Sequence, residues 1–209
     1  TQQRPLATHQ LSIVEALLFL LLLLCVALLL VLLLNPLCFK LAWVAVGLAV
    51  IYPFMKRVMP YPQFVLGLAF NWGVMMAFAA IQNQLPSMAW LLYAIAILWT
   101  VAYDTIYAMV DREDDIRIGI QSTAVTWGSN EVTVVAALYL GVVLLLWWLG
   151  RLLSAGLDFD VMVVACAMQF GWQIRQIKSR EPLMCLKAFR SNGVVWALVL
   201  LAVAVSFLQ

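Results

Sequence analysis

From Leu11 to Leu34 the chain carries one charge, Glu15, and no polar side chain after it. A crossing of bilayer hydrocarbon needs about 20 apolar residues, so this run is long enough to span, and its leucine-rich body is expected to face lipid broadly. Comparable runs follow from about Leu37 to Phe54, Phe64 to Ile81, Met88 into an acidic segment, Val132 to Gly150, Val161 to Ile177 and Gly193 to Leu208. Turn signals separate them, among them Asn35-Pro36, Gln82 to Ser87, Gly128 to Glu131 and Ser154 to Asp160. The chain is 66% hydrophobic with a mean hydropathy of +1.03, far above the roughly 45–50% of soluble domains. The expected fold is an all-α, polytopic transmembrane bundle of seven helices, a single domain over residues 1–209.

Charge orients such a bundle. With seven alternating crossings, one side receives Arg4, Lys56, Arg57, Arg112, Arg117, Arg175, Lys178, Arg180, Lys187 and Arg190, and the other only Lys40 and Arg151. By the positive-inside bias, the N-terminus and the acidic segment are expected on the cytoplasmic side. The basic stretch from Arg175 to Arg190 reads as an anchor for anionic lipid. A net charge of +2 with no basic patch interleaved with aromatics gives no case for nucleic acid. Cys25, Cys38, Cys166 and Cys185 form no CxxC pair and read as packing residues. His9 is the one histidine, which excludes a multi-histidine metal site.

The stretch Tyr103 to Ala124, YDTIYAMVDREDDIRIGIQSTA, breaks the apolar pattern. It holds Asp104, Asp111, Glu113, Asp114 and Asp115, half of the ten acidic residues in the chain. Five such groups facing lipid would cost on the order of 10 kcal/mol, so they must face water, a cation, or both. On one continuous helix, Asp111 and Asp115 lie within about 20° of Asp104, with Tyr107 roughly 60° away. A carboxylate stripe of this kind suits a hard cation. Mg²⁺ in particular binds one or two carboxylates together with waters and substrate phosphates. An EF-hand is excluded, because Ile116 stands where its loop requires glycine. A solvated loop between helices remains the plain alternative.

The acidic segment resembles the second aspartate-rich motif of the UbiA family of membrane prenyltransferases, in wording most like its 4-hydroxybenzoate polyprenyltransferase branch. Arg4-Pro5-Leu6, the run Tyr52 to Arg57, Trp99 to Tyr103 and Lys187-Ala188-Phe189 match in the same order, and the resemblance covers essentially the whole chain. It implies Mg²⁺-dependent transfer of a polyprenyl group from polyprenyl diphosphate to 4-hydroxybenzoate, in ubiquinone biosynthesis, at a bacterial inner membrane. It implies Asp111 and Asp115 as the main metal carboxylates, with Asp104 and Asp114 supporting them. Tyr107 would stabilise an allylic cation or position a substrate. Lys56, Arg57 and Arg4 would contact the diphosphate, and Asn71, at mid-depth of the third span, would line an acceptor pocket.

Several features depart from the family. An Asn-Asp-x-x-Asp-x-x-x-Asp motif is absent, Gln121 stands where lysine is usual, and RPLATH lacks the usual glycine. Against a nine-helix family bundle, seven spans suggest that the first two helices lie outside this sequence. The chain alone is then expected to be inactive or nearly so, which robust transfer by the purified chain would refute. The alternative from another class is a non-catalytic membrane protein that binds a divalent cation or a lipid diphosphate. A transporter is less well supported, since no internal repeat is evident.

Overall fold

The computed structural model describes residues 5–206. Its helices are α1 (Ile13–Leu32), α2 (Pro36–Val58), α3 (Pro62–Phe70), α4 (Trp72–Gln82), α5 (Ser87–Val110), α6 (Arg112–Ile118), α7 (Thr123–Trp127), α8 (Glu131–Leu152), α9 (Leu157–Ile177), α10 (Pro182–Arg190) and α11 (Asn192–Ser206), with a 3-10 turn at Gly128–Asn130. No strand occurs among the described residues. Six segments are long and apolar enough to cross a membrane: Ile13–Leu32, Pro36–Val58, Pro62–Gln82, Ser87–Val110, Thr123–Leu152 and Pro182–Leu201.

The expected span that is not among these six is Val161 to Ile177, which corresponds to α9. Its 21 residues make a rod about 31 Å long, enough for the hydrocarbon core, but its composition is less apolar than that of the six. Part of the reason is internal. Gln173 is fully buried, accepts from the Tyr139 hydroxyl on α8 and donates to Ser191 Oγ at 2.9 Å. These bonds keep a polar side chain away from lipid and tie α9 to its neighbours on both sides.

Helix ends follow the local chemistry. Ser12 and Glu15 form a capping box, with Ser12 N donating to Glu15 Oε2 at 2.9 Å, which explains the one charge in the first apolar run. Asn35 caps α2 and Pro36 opens it. The helix α1 buries none of its residues and packs chiefly on α2, as expected of a lipid-facing leucine rod. At the centre, α5 packs against α3, α4, α8 and α10.

Two expectations are modified. The third expected span divides at Asn71, whose Nδ2 donates to Gly67 O at 2.8 Å, to Ala96 O at 3.3 Å and to Thr100 Oγ1 at 2.8 Å. Its amide thus competes with the backbone for a carbonyl one turn back and joins α3 to α5. The second concerns the basic stretch that reads as a lipid anchor. Its latter part is α10, which buries Cys185 and Ala188 and packs on α5 and α9. Only one face of it remains for headgroups.

Arg4 lies outside the described residues; Lys56, Arg57, Arg112, Arg117 and the basic residues from Arg175 to Arg190 gather at one end of the bundle. The C-terminal ends of α2, α5 and α9 meet there with α6 and α10. Lys40 and Arg151 belong to the opposite helix ends. At that opposite end Gly150 admits the Phe159 ring: a Cβ at 150 would stand 2.7 Å from Phe159 Cδ1. Because Phe159 is buried, Gly150→Ala is expected to cost about 1–3 kcal/mol through overpacking. Thermal unfolding in detergent checks this, with Leu140→Ala on the lipid-facing side of α8 as the mild control.

Candidate functional site

The site lies where α5 runs out of the membrane. Asp104 and Asp111 stand two turns apart on its last stretch. At Asp111 the helix breaks, with φ −95° and ψ 4°. The expectation of one continuous helix through Asp115 therefore gives way to a jointed one. The joint is tight, because Asp115 N still donates to Asp111 O at 2.8 Å, so Asp115 stays one turn from Asp111. Beyond it, Gly119 takes the left-handed conformation that closes α6 (φ 70°), and Ile120 N donates back to Asp115 O at 2.9 Å.

Distant parts of the chain close around this joint. Gln121 N donates to Lys56 O at 2.9 Å, which pins the turn after α6 to the end of α2. Thr123 N donates to Gln63 Oε1 at 3.0 Å, and the Thr123 and Thr105 hydroxyls share a bond of 2.7 Å. Thr126 Oγ1 donates to Pro60 O at 2.8 Å. Together these bonds form a polar seam that holds α2, α3, α5 and α7 at one mouth.

Lys56, half-buried, lies within electrostatic reach of both Asp104 and Asp115, and Asp111 neighbours both of those carboxylates. The cluster thus sets three carboxylates against one ammonium, a surplus of negative charge that a divalent cation would balance. Asp115 is 8% exposed. Burial, foremost, raises its carboxyl above the ordinary 3.8, and the charges of Asp111 and Asp114 push the same way; the Ser122 hydroxyl and Lys56 work against them.

The other expected residues are placed less centrally. Asp114 is exposed and pairs with Arg117 at 3.7 Å on the surface of α6. Arg57 is exposed beside the inward Lys56. Tyr107 is 37% exposed, and its ring lies 5.0 Å from that of Phe189 on α10, with Tyr103 on the other side at 5.9 Å. Asn71 is 7% exposed and spends its amide on α3 and α5 as described. Arg4 lies outside the described residues.

Three participants escaped the sequence reading. Tyr52 comes close to Asp104; its signal was its place one turn before Lys56 on the same face of α2. Gln63, 2% exposed, faces Asp104 as well as Thr123; an amide just inside a proline-started apolar helix was the signal. Ser122 faces Asp115 and also caps α7, and nothing in its sequence context distinguished it from an ordinary cap.

Among the described residues, no group of three or more His, Cys, Asp or Glu side chains is arranged to hold a metal ion alone. Asp111 and Asp115 stand one turn apart with Asp104 behind, so a divalent cation here would draw on few protein ligands. In that arrangement, one or two carboxylates act with waters and phosphate oxygens.

The model of the UbiA prenyltransferase family matches residues 1–199. A 4-hydroxybenzoate octaprenyltransferase of Aliivibrio fischeri (strain MJ11) is 47% identical over 208 residues, covering 100% of this chain and 72% of the relative. The protein of the same name from Serratia proteamaculans (strain 568) is 43% identical over 209 residues, with coverages of 100% and 72%. Among solved structures, the apo form of a UbiA homolog from Aeropyrum pernix K1 superposes with a TM-score of 0.86 at 21% identity, over 98% of this chain and 77% of that one. A digeranylgeranylglyceryl phosphate synthase structure gives 0.70 at 20%, over 98% and 73%. These two likenesses concern the fold.

The raised Asp115 carboxyl has a testable sign. Above its folded-state pKa the buried charge costs stability, and that cost is relieved as the pH falls through it. Asp115→Asn is therefore expected to raise the melting temperature at pH 7, with the gap closing toward pH 4. Unfolding scans in detergent across that range check it.

Proposed function

We propose, from the premise that this chain belongs to the UbiA prenyltransferase family, that it serves the transfer of a polyprenyl group from polyprenyl diphosphate to the ring carbon ortho to the hydroxyl of 4-hydroxybenzoate. The names of the relatives support this substrate pair, and with it a step of ubiquinone biosynthesis. The observation that carries the reading is the set of three carboxylates around Lys56 at the end of a membrane helix bundle. A charged diphosphate can reach that mouth from water while its apolar tail lies among helices.

Asp111 and Asp115, supported by Asp104, would hold Mg²⁺, which when bound supplies Lewis-acid activation of the diphosphate leaving group. Lys56 meets the charge that grows on the diphosphate as the allylic C–O bond breaks, and Arg57 at the rim meets it from solvent. We assign Arg4 to the same diphosphate. The ring carbon of the acceptor then attacks the allylic carbon and gives up its proton to restore aromaticity. Tyr103, Tyr107 and Phe189 form an aromatic wall beside the carboxylates. Their π faces stabilise positive charge and keep water from it. The basic end of the bundle is the cytoplasmic one in this reading, in a bacterial inner membrane.

A transfer assay in membranes, with 4-hydroxybenzoate, a polyprenyl diphosphate and Mg²⁺, tests the proposal. It is run on this chain and on the chain fused behind the N-terminal segment of the Aliivibrio fischeri relative. Transfer that requires Mg²⁺ and falls about 10²–10³-fold in Asp111→Ala is the expected result. Lys56→Gln is expected to raise the half-saturating diphosphate concentration about 10-fold or more, the worth of a charge-assisted hydrogen bond. If neither form transfers while the chain retains Mg²⁺ or diphosphate, the non-catalytic cation-binding reading replaces this one.

A further inference from the structure

A second charged cluster sits beside the site. Glu131, the first residue of α8, is fully buried. Its Oε1 accepts from Arg180 Nε at 2.6 Å and lies 3.7 Å from Arg112 Nη1. Its Oε2 is buried with no hydrogen-bond partner among the described residues. A buried carboxylate is tolerated only when paired, and the two arginines supply its partners. Arg180 is fixed firmly: Nη2 also donates to Ser129 O at 2.9 Å, and its backbone is held left-handed at φ 57°. A non-glycine residue keeps such a conformation only where its surroundings over-determine it.

Arg112 makes the longer of the two contacts. It directly follows Asp111, opens α6, and precedes Asp115 by one turn. The helix has seven residues, far too few to persist without docking, and Glu113, Asp114 and Ile116 to Ile118 are exposed. A cavity of about 470 Å³ lies beside α6, lined by Arg112, Glu113, Glu131 and Arg180 together with apolar side chains such as Ile116. Next to it the Arg112–Glu131 pair ties the start of α6 to α8.

We infer that Glu131, braced by Arg180, is a positioning residue that docks the start of α6 through Arg112 and so steadies the joint that carries Asp111 and Asp115. This rests on the reading of those two carboxylates as the metal-diphosphate site. Glu131 touches neither substrate nor cation. Its loss loosens the carboxylate pair, so that more Mg²⁺ is needed to close the site, while the wall that surrounds the reacting carbon is unchanged.

The discriminating variant is Arg112→Met, which leaves the Arg180–Glu131 bond intact and with it the anchoring of α8. Hydrogen exchange of the intact chain in lipid nanodiscs, without added Mg²⁺ or diphosphate, reads the docking directly. The α6 amides are expected to exchange about tenfold faster in Arg112→Met, with those of α8 unchanged. The Mg²⁺ concentration that half-saturates farnesyl diphosphate binding is expected to rise about 10-fold, and Arg112→Lys to recover part of both effects. Wild-type exchange of α6 in Arg112→Met overturns the inference whatever happens to Mg²⁺. Faster α6 exchange in a protein whose Mg²⁺ dependence ignores Asp111→Ala and Asp115→Ala upholds the docking role and removes the metal reading instead.

Discussion

Hydrocarbon offers no partner to a peptide N–H or to a carboxylate. A chain placed in it must satisfy its backbone within helices and send its charges to the ends. The architecture follows from that constraint. Glu15 sits in a capping box at the start of α1, and Gln173 turns inward to Tyr139 and Ser191. The basic residues collect where α2, α5 and α9 end. Even the breaks obey it, since the Asn71 amide takes up a carbonyl in its own turn and reaches into α5.

The same constraint makes the mouth of the bundle chemically valuable. Three carboxylates can stand together only where water, a lysine and polar neighbours share the cost of crowding. Here the lysine comes from α2, the amide from Gln63 at the start of α3, and the hydroxyls from Ser122, Thr123 and Thr105. The seam that joins them combines one backbone bond, Gln121 N to Lys56 O, with three that use side chains. It transfers rigidity from membrane helices to a short acidic helix that could not hold its own shape. The Arg112–Glu131–Arg180 cluster does the same from the other direction.

Much of the candidate site was visible before any coordinates, for a specific reason. Charges are rare in a chain this apolar, so Asp104, Asp111, Asp115 and Lys56 stood out. The seven-residue interval from Asp104 to Asp111 fixes a common helix face over two turns. That phase argument did not extend to Asp115, because the helix is jointed at Asp111 and the Asp115 N to Asp111 O bond, not the 100° step, keeps the carboxylates adjacent. Nor does phase distinguish Lys56 from Arg57: which of two adjacent cations turns inward depends on the rotation of α2 against α5.

The sequence by itself determined the helical class, the grouping of positive charge at alternate ends and the acidic segment as the chemical centre. Each rests on composition or on spacing within one helix. Only the tertiary structure decided that Tyr52, Gln63 and Ser122 belong to the site, that Tyr107 leans on Phe189, and that one face of α10 packs into the bundle. It also decided that Glu131 lies buried between two arginines. These are relations between segments up to 60 residues or more apart, as in the bond from Thr123 to Gln63. Local propensity carries no record of them, because they arise from the rotation and register with which apolar helices settle against one another.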